Sequence, residues 1–354
     1  MLTEESKSQL TQIFKNGDPL AADDFFNRIN IEGGLGRAWD WNGKADKPFE
    51  RLRSYETLLK EIYDWNSEIF HFIHKGTPYY FSGIHAFDIE DYNRALFYFD
   101  AGLSEDIRNK PGRNTFHWTN SASYGFYKLN ESYGNEIVTV PVGKLRKLIL
   151  PLIDEFNVEL GPDELFTIDI LINSFVKSKV KVKEYRSIIP ALYLFIYESE
   201  QKLFQLQIRS DLGGSIEPFI LHLLKGCLIF ESLIKLVYPS HIYSELATIM
   251  KDPIVKKDIN YCQGGIELID HAAGIRKTLQ DIISNLIPYL EDEGNRVKNS
   301  DKWLTLTYAL RNVTAHNLTW DDRFNPENYM HLYRSVLFSI FYLIFKKFKP
   351  ISGG

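Results

Sequence analysis

Cysteine is nearly absent from this chain. Two residues in 354, Cys227 and Cys262, exclude a disulfide framework and any zinc site built on cysteine. Both are expected as small buried apolar groups. Excess positive charge is missing too. A formal net charge of -5 gives the whole molecule no attraction for nucleic acid or an anionic membrane, so any such contact has to come from a local basic surface. No apolar stretch is long enough for a bilayer: the longest, Val336 to Phe345, is about half of the ~20 residues a spanning helix needs. The start, MLTEESKSQLTQIFKNGD, is polar and acidic where a secretory signal is basic and then apolar. A soluble, cytoplasmic protein without membrane contact is expected. In that compartment the Asn-x-Thr pattern at Asn312 is not a glycosylation site.

What remains is globular. The chain is 44% hydrophobic and 25% charged, and its 24 Phe and 20 Tyr suit aromatic-rich helix packing. Its length permits two domains. The pattern is mainly α, with an irregular N-terminal helical region over residues 1–207 and a helical bundle over 208–354. The boundary is drawn at RSDLGGSIEP, where two glycines and a proline interrupt the helices.

In the N-terminal region, Lys7 to Lys15 and Tyr55 to His74 have helical periodicity. The loop NIEGGLGRAWDWNGKADKP lacks the glycine spacing and preceding strand of a dinucleotide-binding turn. Its Trp39 and Trp41 suit either base stacking or an aromatic core plug. His71 and His74 fall three apart, but no acidic or cysteine companion is spaced to complete a metal site, and structural roles are expected. Within residues 76–106, Gly83, Ala95 and Phe99 are spaced so that two antiparallel helices cross closely, and Tyr79 stands where a Trp is usual. This stretch resembles one tetratricopeptide repeat, although Ile107 replaces its Pro and Ser82 its Leu. A plain hairpin with a tight crossing accounts for the same residues. Glu136 to Val142, EIVTVPV, is β-branched and reads as an isolated strand, followed by helical periodicity over Leu145 to Phe156 and Asp163 to Phe175. In VKSKVKVKEYR, Lys177, Lys179, Lys181 and Lys183 alternate. An extended segment would line them up as a phosphate-contacting ridge for RNA; a solvated edge or loop accounts for them equally. Ile188 to Leu206 reads as a long apolar helix.

Four helices are expected in the bundle: Phe219 to Tyr238, Gly265 to Leu290 with a break near Pro288, Lys302 to His316, and Pro326 to Phe348. On the first, Glu231 shares an apolar stripe with Ile220, Leu224, Cys227 and Ile234. A carboxylate facing a core must find a partner, and Arg311 is the candidate. On the third, Asn312 and His316 differ by only about 40° in direction, while Arg311 and His316 differ by about 140°. The helix end beyond Asn317 lets all three border one cleft.

This residue set suits cleavage of RNA without a metal or cofactor. Histidine moves protons near neutral pH, arginine presents a planar fork to phosphate, and asparagine orients either by hydrogen bonds. A metal-dependent phosphohydrolase is the weaker expectation, because only Asp321-Asp322 lies near the histidine. Arg311-Asn312, three residues, then His316, together with Phe230-Glu231-Ser232-Leu233-Ile234-Lys235, resembles the signature of the HEPN superfamily over roughly Ile208 to Phe348. The resemblance implies a homodimer through the bundle, with two motifs facing across a cleft. It also implies metal-independent endoribonuclease activity, often in antiviral defence or toxin systems. Arg311 and His316 would be catalytic, Asn312 would support them, and Glu231 would orient Arg311. The N-terminal region would then respond to a protein or small-molecule trigger. Inactive dimerisation, nucleotide-binding or protein-interaction modules share the same bundle, so an interaction role stands beside the enzymatic one.

Overall fold

Helices carry the described chain from end to end, with no strand among the described residues, as the mainly α pattern requires. A computed structural model describes residues 2–32, 46–109, 119, 121–129, 136–162, 164–209, 215–261, 268, 270–272, 274, 278–314 and 324–348. The chain divides into two compact units, Met1–Lys147 and Leu148–Gly354. The division falls well before the 207/208 boundary read from RSDLGGSIEP, because the helix preceding that segment packs on the one that follows it. No described helix is long and apolar enough to cross a membrane.

In the first unit, α1 (Glu4–Asn16) starts where Thr3 Oγ1 accepts from the Ser6 amide. It stops at Gly17, whose φ of 69° closes the helix in the left-handed region. α2 (Ala22–Glu32), α3 (Pro48–Trp65) and α4 (Ser67–Phe72) join it around Leu10, Phe26, Leu58, Ile62 and Ile69. The single helix expected over Tyr55 to His74 is two. Asn66 is extended (φ -155°, ψ 101°), and its side chain accepts from the Ile69 amide at 3.0 Å, capping α4. α5 (Gly76–Asp88) and α6 (Tyr92–Asn109) form the hairpin. A Cβ at Gly83 would lie 2.8 Å from the Phe99 ring and 3.3 Å from the Ala95 carbonyl oxygen, so the crossing needs the missing side chain.

His74 ties this unit together. Only 1% exposed, its Nδ1 lies 2.5 Å from Asp23 and its Nε2 3.0 Å from Asp106. Burial opposes a charge there, but the hydrogen bonds to Asp106 and Asp23 outweigh it and raise the imidazole above its ordinary range. The neighbouring Lys75 donates to the Phe70 and Ile73 carbonyls, each at 2.7 Å, and lies 3.3 Å from Glu105. The structural role expected of His74 is present. Its carboxylate partners, 51 and 32 residues away, fall outside any sequence spacing rule.

α7 (Ala122–Tyr127) follows, then α8 (Glu136–Leu160), which replaces the strand expected over Glu136 to Val142. The buried positions Val142, Leu145, Ile149, Ile153 and Phe156 recur at helical spacing, so burial of one continuous stripe overrides β propensity.

In the second unit, a π-helical segment (Ile170–Val176) leads into the short turns α9 (Lys177–Lys179) and α10 (Lys183–Arg186). The framework is α11 (Ile188–Gln207), α12 (Glu217–Val237) and two later helices. Between them lie α13 (Leu246–Lys251), α14 (Pro253–Asp258), α15 (Leu279–Asp281), a π segment (Ile282–Leu286) and α16 (Ile287–Glu291). The helix is widened rather than broken near Pro288: in that π segment the Ile287 amide reaches back to the Ile282 carbonyl, and the helix runs on into α16. α17 spans Asn299–Thr314 and α18 spans Pro326–Phe348. α18 is the hub: it packs on α11, α12, α17 and the Ile170–Val176 segment, and it is buried almost all round from Tyr329 to Phe345. Gly226 on α12 permits close approach, since a Cβ there would come within 2.7 Å of Val336.

Gly83→Ala tests the hairpin crossing. Because both Phe99 and backbone must give way, the variant is expected to lose about 1–3 kcal/mol in urea unfolding. An unchanged midpoint would show that the hairpin absorbs a methyl group.

Candidate active site

Glu231 lies two turns before the end of α12, on the side turned to α17. It is 6% exposed, yet both of its oxygens are satisfied: Arg311 Nε donates to Oε2 and Lys235 Nζ donates to Oε1, each at 2.7 Å. Burial pushes this carboxyl up, but the bonds from Arg311 and Lys235 outweigh that and hold it below the usual carboxylate range. Arg311 sits in the last turn of α17, where a cation also suits the helix dipole. Its side chain is 30% exposed. Only Nε is used in the ion pair, and among the described residues Nη1 and Nη2 have no hydrogen bond. The carboxylate thus fixes the guanidinium by one edge and leaves the terminal donors for an anion.

Asn312 is half-buried and donates to the Tyr308 carbonyl one turn back at 3.0 Å. That bond is internal to α17 and does not reach Arg311. His316, Asn317, Thr319 and Trp320-Asp321-Asp322 lie outside the described residues, as do Trp39, Trp41 and Cys262. Cys227 is fully buried with a thiol pushed up by its apolar surroundings, as expected of a packing residue.

The four lysines do not line one side of an extended segment. Residues 170–186 are helical turns, anchored by buried Phe175, Val176, Val180 and Tyr185, so alternate positions rotate apart. Lys177, Lys181 and Lys183 are exposed. Lys179 is half-buried, its ammonium 5.2 Å from the Tyr185 ring centre and 5.4 Å from that of Phe348.

Two further polar residues belong to this account. Lys235 is the second partner of Glu231, and its i+4 spacing is the signal that points to it. His222, 2% exposed on α12, donates from Nε2 to the Phe195 carbonyl and accepts at Nδ1 from the Tyr329 hydroxyl, both at 2.9 Å. Burial outweighs the bond to Phe195 and pushes its pKa down to about 3, so the ring is neutral in the folded protein. No family model matches the chain, and no curated protein or solved structure matches it significantly.

Acid unfolding separates these two groups. His222 is neutral when folded and gains a proton when unfolded below about 6.5, so stability falls between that pH and about 3 by up to about 1.4 kcal/mol per pH unit. Glu231 has a folded pKa below its unfolded value near 4.3, so its contribution is complete above that pH and is lost as pH falls through the folded value. In urea unfolding across pH, His222→Gln is expected to flatten the upper window. Glu231→Gln costs about 1–3 kcal/mol at pH 7, less than a fully buried pair because Arg311 is 30% exposed. That cost should shrink below about pH 4.3. A pH-independent difference would contradict the assigned ion pair.

Proposed function

We propose that the second unit is a HEPN-type endoribonuclease that cuts single-stranded RNA without a metal, working as a homodimer in the cytoplasm. Antiviral defence or a toxin system is the proposed setting. The reading rests on one observation above others: Arg311 of the Arg-Asn-x-x-x-His motif is bound to Glu231 of the Phe-Glu-Ser element, 80 residues earlier, at 2.7 Å. Two sequence elements that resemble one family signature therefore form one charged group.

In the proposed reaction the ribose 2′-oxygen attacks the adjacent phosphorus and gives up its proton to a base. The bond from phosphorus to the 5′-oxygen breaks, and that oxygen takes up a proton. His316 serves proton transfer, with one histidine from each subunit at the composite site. Arg311 offers Nη1 and Nη2 to the phosphate oxygens as their charge grows. Glu231 positions Arg311 and keeps it from folding back. Asn312 supports the site once RNA displaces its bond to Tyr308, and Lys177, Lys181 and Lys183 supply RNA-backbone contacts outside it. The N-terminal unit carries the response to a protein or small-molecule trigger. The back-bonded Asn312 favours a second reading, a non-catalytic dimerisation, nucleotide-binding or protein-interaction module in which the motif only braces the bundle.

Purified protein incubated with labelled RNA in EDTA separates the two. The enzymatic reading expects products with 2′,3′-cyclic phosphate and 5′-hydroxyl ends. Arg311→Ala and His316→Ala should each slow cleavage by about 10²-fold or more. Cleavage undiminished in both variants, or none under any condition, would leave the interaction module.

A further inference from the structure

We propose that a second site in the same unit, built from Ser244, His241 and Asp252, is a serine nucleophile that takes up the acyl group of an ester with an apolar acyl chain. The three residues follow α12 in a turn and a helix cap. The Ser244 amide donates to the His241 carbonyl at 2.9 Å, which closes a tight turn and brings the two side chains together. Ser244 Oγ then lies 3.3 Å from His241 Nδ1, and His241 Nε2 lies 3.2 Å from Asp252 Oδ2. Asp252 is the N-cap of α14, and its Oδ1 accepts from the Ile254 and Val255 amides at 2.7 and 3.2 Å. Each carboxylate oxygen thus has its own task, one on the helix end and one on the imidazole.

The order of these contacts fixes the chemistry. The Val255 amide, then the Ile254 amide and His241, hold the Asp252 carboxyl below its ordinary range, so it is ionised at neutral pH. A carboxylate only accepts. In the neutral ring the proton therefore sits on Nε2, and Nδ1 presents its lone pair to the Ser244 hydroxyl. A nucleophilic serine needs this sequence of hydroxyl, base and a third group that orients the base. Bracing does not account for it, because the turn is already closed by its backbone bond and the Ser244–His241 side-chain bond joins no further element. All three residues are half-buried, held in place yet open to a substrate.

The surroundings select the substrate. Tyr243, between the histidine and the serine in the chain, is 98% exposed; its neighbour Ile242 is 49% exposed, and Ile254, beside the cap, is 73% exposed. Side chains this exposed contribute little to the core, and they give the site an apolar rim that suits a hydrocarbon chain. In the proposed step Oγ attacks the ester carbonyl carbon and passes its proton to Nδ1. The bond to the alcohol oxygen breaks, the alcohol leaves with that proton, and the acyl group stays on Ser244. Water then attacks the acyl-serine and gives a proton to Nδ1. The carboxylic acid departs as Oγ takes the proton back.

The test treats the full chain with a fluorophosphonate, whose phosphorus a reactive serine attacks with loss of fluoride, and reads the adduct by intact mass and peptide mapping. One adduct on Ser244 is expected, absent in Ser244→Ala and formed about tenfold or more slowly in His241→Gln. Asp252→Asn keeps a capping oxygen for α14 but loses the charge, and should slow labelling about tenfold or more. Asp252→Glu, which restores the carboxylate, should recover part of that rate. Far-UV circular dichroism checks that each variant folds. With the uncatalysed rate subtracted, p-nitrophenyl hexanoate should be cleaved about threefold or more faster than p-nitrophenyl acetate, a preference lost in Tyr243→Ala. The proposal is overturned by the absence of an adduct at Ser244, by labelling there at an unchanged rate in His241→Gln, or by Asp252→Asn and Asp252→Glu reacting alike. Ester cleavage without preference for the longer chain overturns the apolar substrate. Since neither readout involves RNA, the proposal stands or falls apart from the cleavage reading.

Discussion

A carboxylate on the apolar face of a core helix needs cations at bonding distance, or it cannot stay charged. Glu231 meets that requirement twice, through Lys235 on its own helix and Arg311 on α17. The intrahelical bond costs little to arrange. The other constrains the unit, because it sets where the last turn of α17 meets α12. An apolar residue of similar size would pack there without any partner. Retaining the ion pair therefore makes sense for what it does to Arg311: the guanidinium is fixed at Nε and still faces outward with its terminal donors.

The other buried polar groups follow the same rule with different outcomes. His222 is kept neutral by burial and spends both nitrogens on neutral partners, Phe195 and Tyr329. His74, in the first unit, has a carboxylate at each nitrogen, and these raise its pKa against the opposing effect of burial. Two histidines of nearly equal burial are thus shifted in opposite directions by what lies at hydrogen-bond distance. Lys75 is satisfied mainly by backbone carbonyls, so its charge closes a chain turn between α4 and α5 rather than marking a reactive site.

Much of this architecture can be read from the sequence wherever one apolar stripe decides the outcome. α11, α12 and α18 fall where periodicity puts them, and the spacing of Gly83, Ala95 and Phe99 matches an actual close crossing. The readings that fail are those where local chemistry competes with burial. EIVTVPV has strand-forming residues, but Val142 continues the stripe of α8. The alternating lysines suggest an extended edge, but Phe175, Val180 and Tyr185 draw the chain into turns. Asn66 ends one helix and caps the next within an otherwise helical pattern. At the candidate site, a misplaced carboxylate at Glu231 is visible in the sequence and names Arg311 as partner. The back-bonding of Asn312, the carboxylates around His74 and the contact of His241 with Asp252 depend on tertiary placement, which spacing does not encode.

The central claim is that Glu231 acts through Arg311, and a double-mutant cycle on RNA cleavage addresses it most directly. The rate is measured for the parent protein, Glu231→Gln, Arg311→Ala and the double variant. The account predicts that Glu231→Gln slows the parent about tenfold or more yet changes nothing once Arg311 is gone. Equal slowing in both backgrounds would contradict it, because Glu231 would then act independently of the arginine it binds.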